Sequence, residues 1–372
     1  MKLIKRLFSY VELVAGMGLA SALLKFATNN NTPEEDKAYL RFSGKWGSII
    51  QFAVSGIVCV VISLVELPFE QAKIYIYSLA IFPCLNYFLS VLQTYIRAHE
   101  EYKKYAIIGF VQALLVCGLG SLFAFYKGAQ GLVVARYIAI LFVIIYGIRI
   151  IKDSVKDVSV IRLSKKSRHE FIGMGVSLVF ADFFSAVMPI NETFLVNNLI
   201  GNEVITANFK VAGLLPSQLL LVTGSIVVYF FPKVAKIKDG QKTLSYVLKI
   251  TLLNFVLQTI ITFVGIVFTP FIIDLLYGSK YHDAIEMSYL LWIMRYINVV
   301  FRMIPMNFLP AIGETKFNAM CCAISCVVHI VIDYLCIVNY GIDGLAIATI
   351  LVYLLSGGAF WSYFIYVCKK KA

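Results

Sequence analysis

Seven residues apart, Arg295 and Arg302 flank Asn298 in an otherwise apolar stretch that contains Pro305. Spacings of three and four put all three on one face of a helix. A guanidinium stays charged at any physiological pH, and its planar fork meets two phosphate oxygens at once, so this stripe suits a diphosphate. The competing reading pairs the arginines with Asp182 or Asp333 to fix packing, or lets them reach back to a headgroup. Ser325, His329 and Asp333, each four apart, make a second stripe. A His and a carboxylate one turn apart share a proton near neutral pH, which is ion-coupling chemistry; the alternative is a hydrogen bond that joins two helices. Asp182 and Ser185 precede Pro189 and Glu192 at helical spacing. Asp182 reads as a counter-ion to an arginine or a cation site in ion coupling, Pro189 as a point of bending, and Glu192 as a solvated residue near the outer end. Arg136 is a third guanidinium for an anionic substrate, and Glu12 with the Asn86, Ser90, Gln93 stripe is read as lining the same cavity.

These residues need a scaffold that tolerates them among apolar neighbours. Of 372 residues 60% are apolar and 15% charged, too little polar surface to cover a water-soluble particle. Apolar stretches of the length that crosses a bilayer recur from end to end, which predicts an all-α integral membrane protein. Eleven spans are expected, at 7–24, 47–66, 74–95, 105–126, 130–148, 171–191, 211–231, 248–270, 287–309, 317–338 and 343–367. The net charge of +12 does not point to nucleic acid, because the basic residues cluster between the spans. One alternating set of loops, with the C-terminal tail, holds 23 Lys and Arg and the other set four, which places the tail in the cytoplasm. All eight cysteines lie in or beside apolar segments, so neither a disulfide framework nor a metal site is expected. No phosphate-binding loop, cofactor motif or catalytic constellation outside the membrane is present in the sequence, and no enzyme activity or cofactor is expected.

An internal repeat orders the spans. Ala98, Glu101, Lys103 and Ala106 fall on Ala311, Glu314, Lys316 and Ala319 at an offset of 213, and at the same offset Gly128, Gly131, Leu132 and Ala135 fall on Gly341, Gly344, Leu345 and Ala348. The offset pairs spans of the same direction, so the repeat is parallel. Residues 171–372 make a six-helix lobe, 1–150 a five-helix lobe and 151–170 a cytoplasmic linker. The basic run at Lys2, Lys5 and Arg6 and the repeat offset together predict an architecture of six plus six with the first helix missing.

The segments Gly16–Phe26, Tyr95–Tyr105, Asn191–Ala212, Phe231–Ala235, Leu275–Gly278 and Tyr340–Thr349, in this order, resemble the polysaccharide-export, O-antigen (Wzx-like) flippases of the multidrug/oligosaccharidyl-lipid/polysaccharide exporter superfamily. The resemblance implies two lobes around a central cavity that opens alternately to either side of the bacterial cytoplasmic membrane. The implied substrate is a polyprenyl-diphosphate-linked oligosaccharide, with a polysaccharide polymerase and glycosyltransferases as partners besides the lipid bilayer. Three other readings stand beside it: a multidrug cation exporter of the same superfamily, a membrane-embedded polymerase or glycosyltransferase, and a non-transporting remnant. The basic stripe argues against the first and the short loops against the second.

Overall fold

A computed structural model describes residues 15–28, 32–64, 70–156, 159 and 161–372; Glu12 and the start of the first expected span lie outside the described residues. Among the described residues every regular element is helical. In chain order these are α1 (Leu19–Phe26), α2 (Pro33–Phe42), α3 (Ser48–Leu64), α4 (Glu70–Ser78), α5 (Phe82–Ala98), α6 (Tyr102–Val155), α7 (Lys165–Leu195), α8 (Glu203–Ala212), α9 (Leu219–Lys236), α10 (Gly240–Tyr277), α11 (Ala284–Ile297), α12 (Met303–Phe308) and α13 (Thr315–Lys370). Wide π turns at Ser43–Gly47, Val196–Ile200 and Asn298–Arg302 join some of them without a loop. Among the described residues eight helical stretches are long and apolar enough to cross a membrane, and Gly16–Phe26 is a shorter apolar one. Their outer faces carry large apolar side chains such as Phe125, Leu64 and Leu355 mostly exposed, a surface suited to lipid. The chain is an all-α, multi-pass membrane protein.

Two of these stretches hold more than one expected span. α6 leaves the helical region at Lys127 and Gly128 (φ 55°, ψ −137°), and α13 at Gly341 (φ 65°, ψ −147°). The breaks fall in the gaps between the expected spans 105–126 and 130–148, and 317–338 and 343–367. Each folds its helix back as a hairpin: a Cβ on Gly131 would collide with the carbonyl of Phe123, and one on Gly344 with that of Cys336. No residue with a Cβ adopts the backbone of Gly128 or Gly341 without strain, and the arms pack too closely for anything but glycine at the entry of the second arm. The expected linker 151–170 is shorter than read, because α7 begins at Lys165.

The chain forms two compact units, Met1–Val179 and Phe180–Ala372. In the first, the opening turns of α7 pack against the N-terminal elements. Phe171 meets the rings of Phe26, Tyr39 and Phe42 at 5.2–5.9 Å, and a Cβ on Gly175 would press on the backbone of Met17 and Gly18. Tyr87 of α5 lies between Gly16 and Gly47, whose missing side chains leave it room, and its hydroxyl donates to the carbonyl of Ser43 (3.0 Å) at the π turn. In the second unit, Met188, Val196, Phe209, Leu291, Met294, Val352 and Tyr353 centre a core contributed by α7, α8, α11 and α13.

The repeat seen in the sequence recurs in the backbone. α5 closes with Glu101 N donating to Ile96 O (3.2 Å) and Glu100 N to Arg97 O (3.0 Å); α12 continues to a turn in which Glu314 N donates to Leu309 O (3.0 Å) and Gly313 N to Pro310 O (3.1 Å). The residue in the left-handed region is Glu100 (φ 60°) in one and Gly313 (φ 96°) in the other. Each pair differs by 213, so both units end one helix in the same two-bond cap and start a glycine-broken hairpin at the next residue, Tyr102 after Glu101 and Thr315 after Glu314. Gly128→Ala and Gly341→Ala are each expected to lower stability by roughly 1–3 kcal/mol. Gly118→Ala, where an added Cβ meets nothing, is expected to change little. Thermal unfolding of the three variants in detergent checks both.

Candidate functional site

The membrane-spanning part of the second unit gathers two carboxylates, a guanidinium and an imidazole in one cluster. Pro189 removes a backbone bond from α7, and one turn further on Glu192 points inward, 3% exposed. Arg295 comes from the last turn of α11. His329 and Asp333, four apart, come from the first arm of α13, and Thr349 and Tyr353, again four apart, from the second; the turn at Gly341 brings the two stripes face to face.

Glu192 directs its two oxygens at a guanidinium and an imidazole. Oε2 accepts from Arg295 Nη2 (3.0 Å), and Oε1 lies 3.6 Å from His329 Nε2. Arg295 Nη1 also donates to the hydroxyl of Tyr353 (3.2 Å). The other nitrogen of His329 is 3.0 Å from Asp333 Oδ2, and the Thr349 hydroxyl lies 3.4 Å from both His329 Nε2 and Asp333 Oδ1. His329 and Asp333 are fully buried, whereas the Arg295 side chain keeps 14% of its surface. Arg295 is therefore the one member of the cluster that a ligand can touch without unpacking it. The arrangement is a chain of arginine, carboxylate, imidazole and carboxylate, along which a proton has places to reside. It is also loosely tied: Glu192 Oε1, His329 Nδ1 and Asp333 Oδ2 have no aligned hydrogen-bond partner among the described residues. A buried polar network left partly satisfied is costly, and such groups persist where they are used.

Arg302 lies apart from that chain. It is 3% exposed, and its guanidinium carbon sits 5.6 Å from the Tyr353 ring and 5.7 Å from the Phe360 ring, with Nη2 4.0 Å from Met188 Sδ. Its Nε has no partner, and no carboxylate among the described residues pairs with it. The π turn Asn298–Arg302 inserts itself between the two arginines and rotates Arg302 out of the register that an unbroken helix would give. Side chains from other helices hold the turn. Asn254 Nδ2 donates to Val299 O (2.9 Å), and Trp361 Nε1 to Phe301 O (2.9 Å). Asn254 in turn accepts from Thr223 (2.9 Å), and Gln258 Nε2 donates to Thr223 Oγ1 (2.7 Å) and Leu219 O (2.9 Å). Asn298 is buried, with its Oδ1 unpartnered among the described residues.

Thus His329 and Asp333 meet as their spacing predicts, and Arg295 joins them. Glu192 is a correction: it is not solvated near a helix end but is the buried counter-ion of Arg295, the place that the sequence offered to Asp182 or Asp333. Asp182 is exposed and has no ion pair among the described residues. In the first unit Arg136, Asn86 and Gln93 are half-buried, and Ser90 is exposed. Among the described residues no group of three His, Cys, Asp or Glu is arranged to hold a metal ion. Outside the spans, His99 at the end of α5 pairs with Asp36 (3.4 Å), and that bond holds its imidazolium above the usual histidine range.

Residues 1–286 match the family model described as polysaccharide biosynthesis protein. The chain belongs to that family. A member of it, this chain is 23% identical over 258 residues to a Shigella flexneri protein named "Putative O-antigen transporter", a match covering 67% of the chain; the chain spans 60% of that relative's length. A crystal structure of MATE in the straight conformation superimposes with a TM-score of 0.81 and 13% identity, over 99% of this chain and 88% of that one. A Vibrio cholerae MATE transporter in the bent form gives 0.79 and 14%, over 99% and 89%. This family member therefore has the MATE-type transporter fold, and its resemblance to Wzx-like flippases of the exporter superfamily stands.

The amide ladder that pins the π turn is testable by itself. Asn254→Leu takes the side-chain donor from the Val299 carbonyl and the acceptor from the Thr223 O–H in an apolar interior, and is expected to cost about 1–3 kcal/mol for each group left unpaired. Ser225→Ala, at an exposed serine bonded only within its own helix, is expected to be neutral. Denaturant or thermal unfolding of the two variants separates the cases.

Proposed function

We propose that the protein exports a polyprenyl-diphosphate-linked oligosaccharide, an O-antigen or capsule repeat unit, across the bacterial cytoplasmic membrane by alternating access, coupled to an ion. The observation that carries the reading is Arg302, a permanent cation buried within a membrane-spanning helix with no carboxylate beside it among the described residues. An unpaired charge in such a place costs several kcal/mol, and an anionic ligand is what removes that cost. The family, the Shigella relative's name and the transporter fold support the same assignment. Arg295 and Asn298 are the further substrate-binding candidates in the second unit, and Arg136, Asn86 and Gln93 are those in the first unit. His329, Asp333 and Asp182 are the candidates for ion coupling. On the basic-loop asymmetry the C-terminus is cytoplasmic. A polymerase and glycosyltransferases are the partners that such a substrate needs.

A second reading, export of a cation, rests on one observation: Asp182 is an exposed carboxylate within a span. The two readings separate in one assay. Arg302→Ala and Arg295→Ala are expected to abolish surface glycan when each replaces the unsubstituted gene in a strain that depends on it, at unchanged membrane levels. Normal glycan in Arg302→Ala overturns the substrate-contact assignment. Drug sensitivity that follows Asp182→Asn while glycan is unaffected favours the cation exporter.

A further inference from the structure

The two arginines are not equivalent. Arg302 has no carboxylate beside it, whereas Arg295 already holds one, Glu192, and is the only cluster member with surface to spare. Glu192 holds Arg295 Nη2 and the Tyr353 hydroxyl holds Nη1, so an anion that takes this edge with two oxygens competes with Glu192 for it. We propose that Glu192 is an exchangeable counter-ion: an anionic group reaching Arg295 displaces its carboxylate, which then takes a proton, so that substrate anion and proton are bound together rather than in competition.

The sign follows from what surrounds Glu192. The groups facing it are Arg295 from α11 and His329, Asp333 and Tyr353 from α13, with Arg302 beyond the Tyr353 ring. Once Arg295 turns to a phosphate oxygen, only His329 remains within reach of Glu192, and Asp333 already claims that imidazole at 3.0 Å. Two buried carboxylates then face one imidazole. A carboxylate in an apolar interior without its own cation becomes neutral rather than stay charged. One proton moves from solvent to a Glu192 oxygen, where it forms an O–H bond and cancels the negative charge that Arg295 no longer balances. By linkage, protonating Glu192 first frees Arg295 and tightens anion binding by the same factor. Direct competition between proton and substrate, as a cation exporter with a carboxylate site would show, has the opposite sign.

This inference rests on the proposed anionic substrate, and one titration tests the two separately. The purified full chain in detergent is titrated calorimetrically with farnesyl diphosphate in two buffers of different ionisation heat, at several pH values from 6 to 8.5. The unsubstituted protein is expected to bind with net proton uptake, and its affinity to fall up to about tenfold per pH unit beyond the ligand's own titration. Glu192→Gln is expected to bind, to lose that increment of uptake and to lose the extra slope. Arg295→Gln, which removes the exchange and keeps the carboxylate, loses the same increment and serves if Glu192→Gln fails to fold. A proton count equal to that of the unsubstituted protein in either variant overturns the exchange and leaves the anionic-substrate reading standing. No binding to the unsubstituted protein overturns that reading, and the exchange with it.

Discussion

A carboxylate placed where water does not reach must share its charge or give it up, and Glu192 shares it twice. One oxygen holds Arg295 and the other faces His329, so a single residue of α7 ties α11 to the α13 hairpin. Much of the second unit is arranged to make this contact possible. Pro189 loosens α7 one turn earlier, Gly341 folds α13 so that His329 and Asp333 meet Thr349, and the π turn sets Arg295 and Arg302 on different tasks. The amide ladder from Thr223 through Asn254 and Gln258 makes that turn a fixed feature by satisfying the carbonyls the ladder touches, while the polar atoms of the cluster itself are left partly unsatisfied. Rigid support around a loosely tied centre is what an exchangeable ion pair needs.

The two units share their internal plan, and they differ in what they bury. The helix cap before each hairpin and the glycine that turns it are the same at an offset of 213. At that offset Arg136 of the first unit corresponds to Thr349 of the second, which stands beside His329 and Asp333. The common scaffold thus carries a half-buried guanidinium in one copy and a hydroxyl of the ion cluster in the other. A parallel repeat lets the chemistry of one copy diverge because the hairpin's geometry depends on glycines and backbone bonds rather than on these side chains.

What the sequence made legible was periodic and local. The membrane class, the hairpin breaks and the offset of 213 are readable because they rest on apolar runs, glycines and spacing. The His329–Asp333 pair is readable because one helical turn separates the two residues. Glu192 and Arg295 are 103 residues apart, and nothing local joins them; by sequence Glu192 reads as solvated because it stands near the end of an apolar run. The extension of α7 to Leu195 and the π turn Val196–Ile200 carry that run further inward. Two missed signals were present. Asn254 and Gln258 stand four apart in a span otherwise almost apolar, and Thr349, Tyr353 and Ser356 form a polar stripe on the last span. Buried polar residues at helical spacing mark the faces that must find partners. The π turn itself has no such signature, since its carbonyls are satisfied by residues from distant helices.

The most direct test of the exchange watches the carboxyl group itself. Difference infrared spectroscopy of the purified protein, with and without farnesyl diphosphate, reports any carboxylate that becomes a carboxylic acid. The account predicts that adding the diphosphate produces a new protonated-carboxyl band, and that Glu192→Gln removes it. A spectrum with no such band, or a band that survives in Glu192→Gln, contradicts it.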